Sequence, residues 1–199
     1  TLLRAAGHEV LILPDHRALT ADELLVATDG IDGLLAMPTD RITADLLDAR
    51  PRLRAIANNA VGYNNIDIAA CTARKVGVSN TPDVLTNATA EIAFLLLLAA
   101  ARRGGEGERH LRRGQWSGIG PLEFLGVDVV GRTLGLVGAG RIGARVAQMA
   151  TGFDMTILYH NRHPNPALAA RGARYVPLDE LLRTADFVSL HAPFTPETH

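Results

Sequence analysis

The sequence predicts an α/β protein of two doubly wound parallel-sheet units. Short apolar runs alternate with helix-period segments through residues 1–82, and the alternation restarts at Thr133. Strand, helix and strand in succession imply a parallel sheet with helices on its faces. A third observation separates the units. The helix expected from about Asn87 to Arg103 is apolar on nearly every side, and such a helix belongs between two packed bodies.

In the first unit, His8–Leu13, Gly33–Ala36, Leu53–Ala57 and Val76–Ser79 read as strands. Ala21–Ala27 and Thr43–Ala49 have helical apolar spacing, and Asp67–Arg74 fills the gap before the fourth strand. Thr81-Pro82 stops that strand, so the boundary is set at residues 82 and 83. Residues 104–131 are rich in glycine and charge, hold Trp116 and Pro121, and show no sustained period. They read as an extended excursion with little core of its own, a kind of segment that often packs on a partner subunit. The second unit runs through a strand Thr133–Val137, a helix from Arg141 to about Thr151, a strand Met155–His160, a helix Leu178–Thr184 and a strand Phe187–His191.

Bulk composition narrows the partners. With 199 residues, 47% of them hydrophobic, the chain has enough apolar content for a soluble globular protein. A formal charge of -1 gives no general attraction to nucleic acid or anionic membranes, so a small-molecule partner is expected. Cys71 is the sole cysteine, which excludes an intrachain disulfide or a Cys-rich metal site and fits a cytoplasmic location. The longest apolar run, Ile92–Ala101, is about half a membrane span and is closed by Arg102 and Arg103. Lys75 is the only lysine, an arginine bias spread along the whole chain. The chain opens on Thr1, inside what reads as a helix, so an N-terminal segment is expected to be missing.

Chemistry concentrates at Gly138-Ala139-Gly140-Arg141-Ile142-Gly143, a GxGxxG run. It follows an apolar strand directly and opens a helix whose Ile142, Val146 and Met149 share one face, the context a dinucleotide site requires. Gly138 would permit the tight turn, Gly140 the approach of a pyrophosphate, and Gly143 close packing of helix on strand. Free N–H groups and the positive end of the helix would receive the phosphate charge. The bland alternative is a glycine-rich turn with no nucleotide.

The next strand end discriminates between cofactors. An acidic side chain there would bind the adenosine ribose and repel a 2′-phosphate. The stretch instead reads Tyr159-His160-Asn161-Arg162-His163, with neutral Asn161 at the acid's place and Arg162 poised for a 2′-phosphate. This favours NADP over NAD; if Arg162 is only a solvated loop residue, both bind.

Beyond this motif, the residues resemble the D-isomer-specific 2-hydroxyacid dehydrogenases over essentially the whole chain, within them the glyoxylate and hydroxypyruvate reductases. The likeness rests on the run from Ala60 through Val61, Gly62 and Tyr63 to Asp67, on Val78 to Thr86, on Ala88-Thr89-Ala90-Glu91, and on Pro121 to Gly126 leading into Gly131 to Gly135. It implies a flavodoxin-like substrate domain over 1–82 and a Rossmann dinucleotide-binding domain over 83–199 that includes the interdomain helix, both incomplete. It also implies hydride transfer between a nicotinamide cofactor and a small 2-oxo or 2-hydroxy acid, in a homodimer.

By the same resemblance, the N–H groups of Val61 and Gly62 bind the substrate carboxylate, Thr89 approaches the nicotinamide end, and Ala192 and Pro193 pass close to the cofactor. Each has a plainer reading: a turn, a helix start, a strand exit. Trp116 either reaches a neighbouring subunit's site or packs at a rim. His160 and His191 lie away from the family's catalytic position and read as structural or cofactor-adjacent. The substrate-holding arginine and the histidine with its carboxylate partner are expected beyond the end of this chain, and His199 matches none of them. No turnover is therefore expected from these 199 residues alone, and the apolar faces left uncovered favour instability or aggregation. Rival readings are a phosphoglycerate-type dehydrogenase of the same family, a nucleotide-sensing corepressor on the same fold, and a degraded gene product.

Overall fold

The computed structural model describes residues 2–13, 17–118, 120–195 and 198; Thr1 and His199, noted above, lie outside them. The chain divides into two compact units, Thr1–Pro82 and Asp83–His199.

The first unit contains α1 (Leu2–Ala5), α2 (Ala21–Ala27), β1 (Gly33–Ala36), α3 (Ala44–Ala49), β2 (Ala55–Asn58), α4 (Ile68–Ala73) and β3 (Gly77–Ser79). Local chemistry starts its main helices. Thr20 and Glu23 form a reciprocal capping box at α2, and the Thr43 hydroxyl and Asp67 carboxylate accept N–H groups of α3 and α4. The strands pair in parallel in the order β1-β2-β3, wound in one direction, with Ile56 at the centre of a core that includes Leu24, Ile42, Leu46, Leu47 and Ile66.

The strand expected at His8–Leu13 is not formed. Those residues are irregular, with Leu11 and Ile12 70% and 65% exposed. Among the described residues the outer edge of β1 stays unpaired, so no ladder hydrogen bond holds this apolar run extended.

The second unit holds α5 (Thr86–Ala101), α6 (Gly104–Arg112), β4 (Thr133–Val137), α7 (Arg141–Ala150), a 3-10 turn (Thr151–Phe153), β5 (Thr156–His160), α8 (Pro166–Ala169), β6 (Arg174–Tyr175), α9 (Leu178–Thr184) and β7 (Phe187–Leu190). Its four parallel strands are ordered β6-β5-β4-β7. From β4 the chain winds outward through β5 and β6, then returns to place β7 on the other side of β4. The sheet is doubly wound, and its direction reverses between β4 and β7. Leu134, Leu136 and Tyr159 are fully buried in a core that Val146 and Ala150 of α7 and Phe94 of α5 cover.

Two expectations for this unit are corrected. α5 buries Ala90, Phe94 and Ala101, but Ile92, Leu95 and Leu96 are each more than half exposed, so it is not covered all round. The excursion at 104–131 begins as a helix, α6, despite three glycines. Ion pairs Arg103–Glu106 and Glu108–Arg112, three and four residues apart, support it where buried apolar contacts are lacking. No residue of α6 is buried, so the expected shortage of core is found. The excursion returns through Phe124, packed on His110 with ring centroids 5.1 Å apart, and through Val127, whose N–H donates to the Ala101 carbonyl.

Candidate functional site

The glycine run sits at the reversal of the sheet. Gly138 leaves β4 with φ +91°, and its N–H donates to the His160 carbonyl at 2.9 Å. A methyl group on Gly138 would stand 2.6 Å from the Ala192 nitrogen, because the exit of β7 runs alongside. Glycine is thus required there for both conformation and space. A methyl on Gly143 would overlap the Gly138 carbonyl oxygen, so α7 is seated directly against the turn.

Gly140 differs from both. Nothing lies within 4 Å of the position a side chain would take, and as N-cap of α7 it offers no side-chain cap. Among the described residues the N–H groups of Arg141, Ile142 and Gly143 are not hydrogen-bonded. Uncapped donors, the positive end of a ten-residue helix and open space above Gly140 fit a phosphate group. A groove of about 460 Å³ runs beside α7; Arg141, Arg145 and Arg171 against Asp83 give its lining a positive balance. Arg141 already pairs with Asp83 at 2.8 Å, both side chains 67% exposed.

At the end of β5, Asn161 turns inward. Its Oδ1 accepts the Ala139 N–H at 2.6 Å, and its carbonyl accepts the Tyr175 hydroxyl at 3.1 Å. Asn165 adds a second strut, donating through Nδ2 to the Ala139 carbonyl at 3.2 Å, while the Tyr159 hydroxyl donates to the Asn165 carbonyl and accepts the Asn165 N–H. Sequence reasoning singled out neither Asn165 nor Tyr175. The available signal was Asn165 before Pro166, an N-cap pattern that starts α8. Arg162 and His163 point to solvent, and no ion pair engages Arg162 among the described residues.

Other expected positions fall as follows. Thr89 is exposed in the early part of α5, Ala192 is half-buried beside Gly138, and Pro193 is exposed. His160 is tied through Nδ1 to the Val176 carbonyl and stacks on Tyr175. His191 bonds the Ser189 hydroxyl through Nε2 at 2.9 Å, and burial holds its imidazole below the usual histidine range. It is expected to be neutral at pH 7. Its share of stability is complete above the unfolded value of about 6.5 and is lost as pH falls through the lower folded value. A ring-proton NMR titration checks this, with a midpoint below about 6.5 expected; a midpoint at or above that value sinks it.

In the first unit, Val61 and Gly62 follow β2 in a loop held by asparagines. Buried Asn58 donates to the Gly62 carbonyl at 2.7 Å, and Asn80 donates to the Val61 carbonyl at 2.9 Å. Asn65 donates to the carbonyls of Met37 and Asp40. Among the described residues the N–H groups of Val61 and Gly62 have no acceptor. These asparagines were not picked out from the sequence, since their partners are fixed only by the fold.

A doubly wound parallel sheet whose reversal point carries an uncapped, glycine-opened helix is a dinucleotide-binding fold of the Rossmann type. The model of the D-isomer specific 2-hydroxyacid dehydrogenase NAD binding domain matches residues 94–199. The glyoxylate reductase of Thermococcus onnurineus is 48% identical over 196 residues, 96% of this chain and 59% of that protein. Among solved structures, the TT0316 protein from Thermus thermophilus superposes with a TM-score of 0.85 at 43% identity, over 100% of this chain and 62% of that one. The D-lactate dehydrogenase from Aquifex aeolicus, complexed with NAD and lactic acid, gives 0.78 at 31% identity, over 88% and 52%. The chain belongs to the D-isomer-specific 2-hydroxyacid dehydrogenase family, as its motifs led us to expect. It spans about three-fifths of the length of the curated relatives it matches. No helix among the described residues is long and apolar enough to cross a membrane.

Proposed function

We propose that the protein carrying this chain reduces a small 2-oxo acid, glyoxylate or hydroxypyruvate, to the 2-hydroxy acid, preferring NADPH to NADH, as a cytoplasmic homodimer. The observation that carries the reading is the uncapped first turn of α7 beneath open Gly140, in a chain that matches glyoxylate reductases along 96% of its length.

In this reading residues 83–199 are the dinucleotide-binding domain and 1–82 the substrate domain. Backbone N–H groups at Gly140, Arg141, Ile142 and Gly143 take the charge of the pyrophosphate, and Asn161, Arg162 and His163 meet the adenosine ribose. Thr89, Ala192 and Pro193 border the nicotinamide end. When bound, the nicotinamide supplies the hydride. Val61 and Gly62 hold the substrate carboxylate with two backbone donors, orienting the carbonyl carbon. We assign protonation of the carbonyl oxygen to no residue of these 199.

The test is steady-state oxidation of NADPH and NADH by a full-length protein carrying this sequence, against a panel of 2-oxo acids. Turnover of glyoxylate or hydroxypyruvate is expected from the full-length protein and none from the 199-residue chain. Failure with every 2-oxo acid and both cofactors overturns the reading.

A further inference from the structure

Resting on the reading that Val61 and Gly62 hold the substrate carboxylate, we propose that Asn80, supported by Asn58, is the positioning residue that aims this receptor. The argument is one of peptide planarity. In a trans peptide the N–H of one residue points opposite to the C=O of the residue before it. Whatever fixes that carbonyl therefore fixes the direction of the N–H.

Three successive peptides of this loop are held by their carbonyls. The Ala60 carbonyl accepts the Thr81 N–H at 3.0 Å, which aims the N–H of Val61. The Val61 carbonyl accepts the Asn80 side-chain amide at 2.9 Å, which aims the N–H of Gly62. The Gly62 carbonyl accepts the Asn58 side-chain amide at 2.7 Å, which does the same for Tyr63. Two of the three anchors come from residues 80 and 81, so the N–H groups of Val61 and Gly62 both face away from that segment. Among the described residues none of the three N–H groups has an acceptor of its own.

Gly62 makes the anchoring necessary. A glycine peptide unit rotates freely, so without the carbonyl bonds its N–H would sample many directions and the ordering would fall on substrate binding. Asn58 is itself locked: it is 1% exposed, and it exchanges side-chain hydrogen bonds with Asn65, which is tied to the Met37 and Asp40 carbonyls. Asn80 is exposed, so its truncation removes the anchor without opening the core.

The experiment uses the full-length protein with Asn80→Ala and Asn58→Ala, oxalate serving as a non-reacting dicarboxylate probe. Asn80→Ala is expected to raise KM for the 2-oxo acid about tenfold while leaving KM for the cofactor and kcat within about twofold, because uniform substrate binding is what is lost. In the wild type, oxalate should move the backbone amide NMR signals of Val61 and Gly62, and in Asn80→Ala the Gly62 shift should shrink. If the wild-type signals move but Asn80→Ala keeps its KM, the positioning role is overturned and the carboxylate reading stands. If the wild-type signals do not move, the carboxylate reading itself is overturned. Equal losses in kcat and in both KM values would show a general folding role and overturn the proposal too. Should Asn58→Ala fail to fold, Asn80→Ala decides alone.

Discussion

Gly140→Asp is expected to weaken NADPH binding about 100-fold while leaving the protein at least as stable as before. The backbone at Gly140 is extended, with φ -75° and ψ -153°, which aspartate adopts readily, and no atom lies in the path of its side chain. Aspartate is also a preferred N-cap and would accept the free N–H groups of α7, stabilising it by roughly 0.5–2 kcal/mol. The same bonds occupy the donors that the proposed cradle offers to phosphate and bring a carboxylate against the phosphate charge. A loss on the order of 100-fold in affinity, about 2.7 kcal/mol, is expected. Gly143→Val separates the two effects differently: its side chain overlaps the Gly138 carbonyl, so stability falls by about 1–3 kcal/mol together with binding. Nucleotide fluorescence titration and thermal melts of both full-length variants make the comparison. Wild-type NADPH affinity in G140D would show that the loop is not the phosphate cradle.

The contrast between these glycines explains how much could be read from sequence. β4, the glycine turn and α7 were legible because strand, turn and helix are adjacent in the chain and each leaves a local mark. The helices expected over Ala21–Ala27 and Thr43–Ala49 were legible from apolar spacing and that over Asp67–Arg74 from the gap before the next strand, and the structure starts them on the caps Thr20, Thr43 and Asp67. Legibility failed where a partner lies far away in sequence. Leu11 and Ile12 look like a strand because they are apolar, yet no ladder among the described residues includes them. α6 hides behind its glycines and its low hydrophobicity, although its polar residues and ion pairs follow the helical period. Asn161 shows the limit within the site. Its neutrality was visible, but its grip on the Ala139 N–H, 22 residues back, was not. Asn58, Asn65 and Asn80 act through side-chain bonds to backbone groups, which no residue pattern encodes.

Arg162→Ala is expected to weaken NADPH binding about 10- to 100-fold with little change for NADH, since charge-assisted hydrogen bonds are worth roughly 1.5–3 kcal/mol. Arg162 is exposed and engaged in no ion pair among the described residues, so removing it breaks no ion pair there. Raising the salt concentration should shrink the wild-type preference in the same direction, because an exposed charge pair is screened. Asn161→Asp extends the test. An aspartate can still accept the Ala139 N–H that Oδ1 of Asn161 accepts now, so the loop keeps its strut. Its second oxygen replaces Nδ2, which donates to the Ala139 carbonyl at only 3.5 Å, and turns from that carbonyl to accept from a ribose hydroxyl while its negative charge repels a 2′-phosphate. Combined with Arg162→Ala, it should invert the preference from NADPH to NADH. The ratio of kcat/KM for the two cofactors is the measurement, and an unchanged ratio in R162A would remove the basis for assigning NADPH.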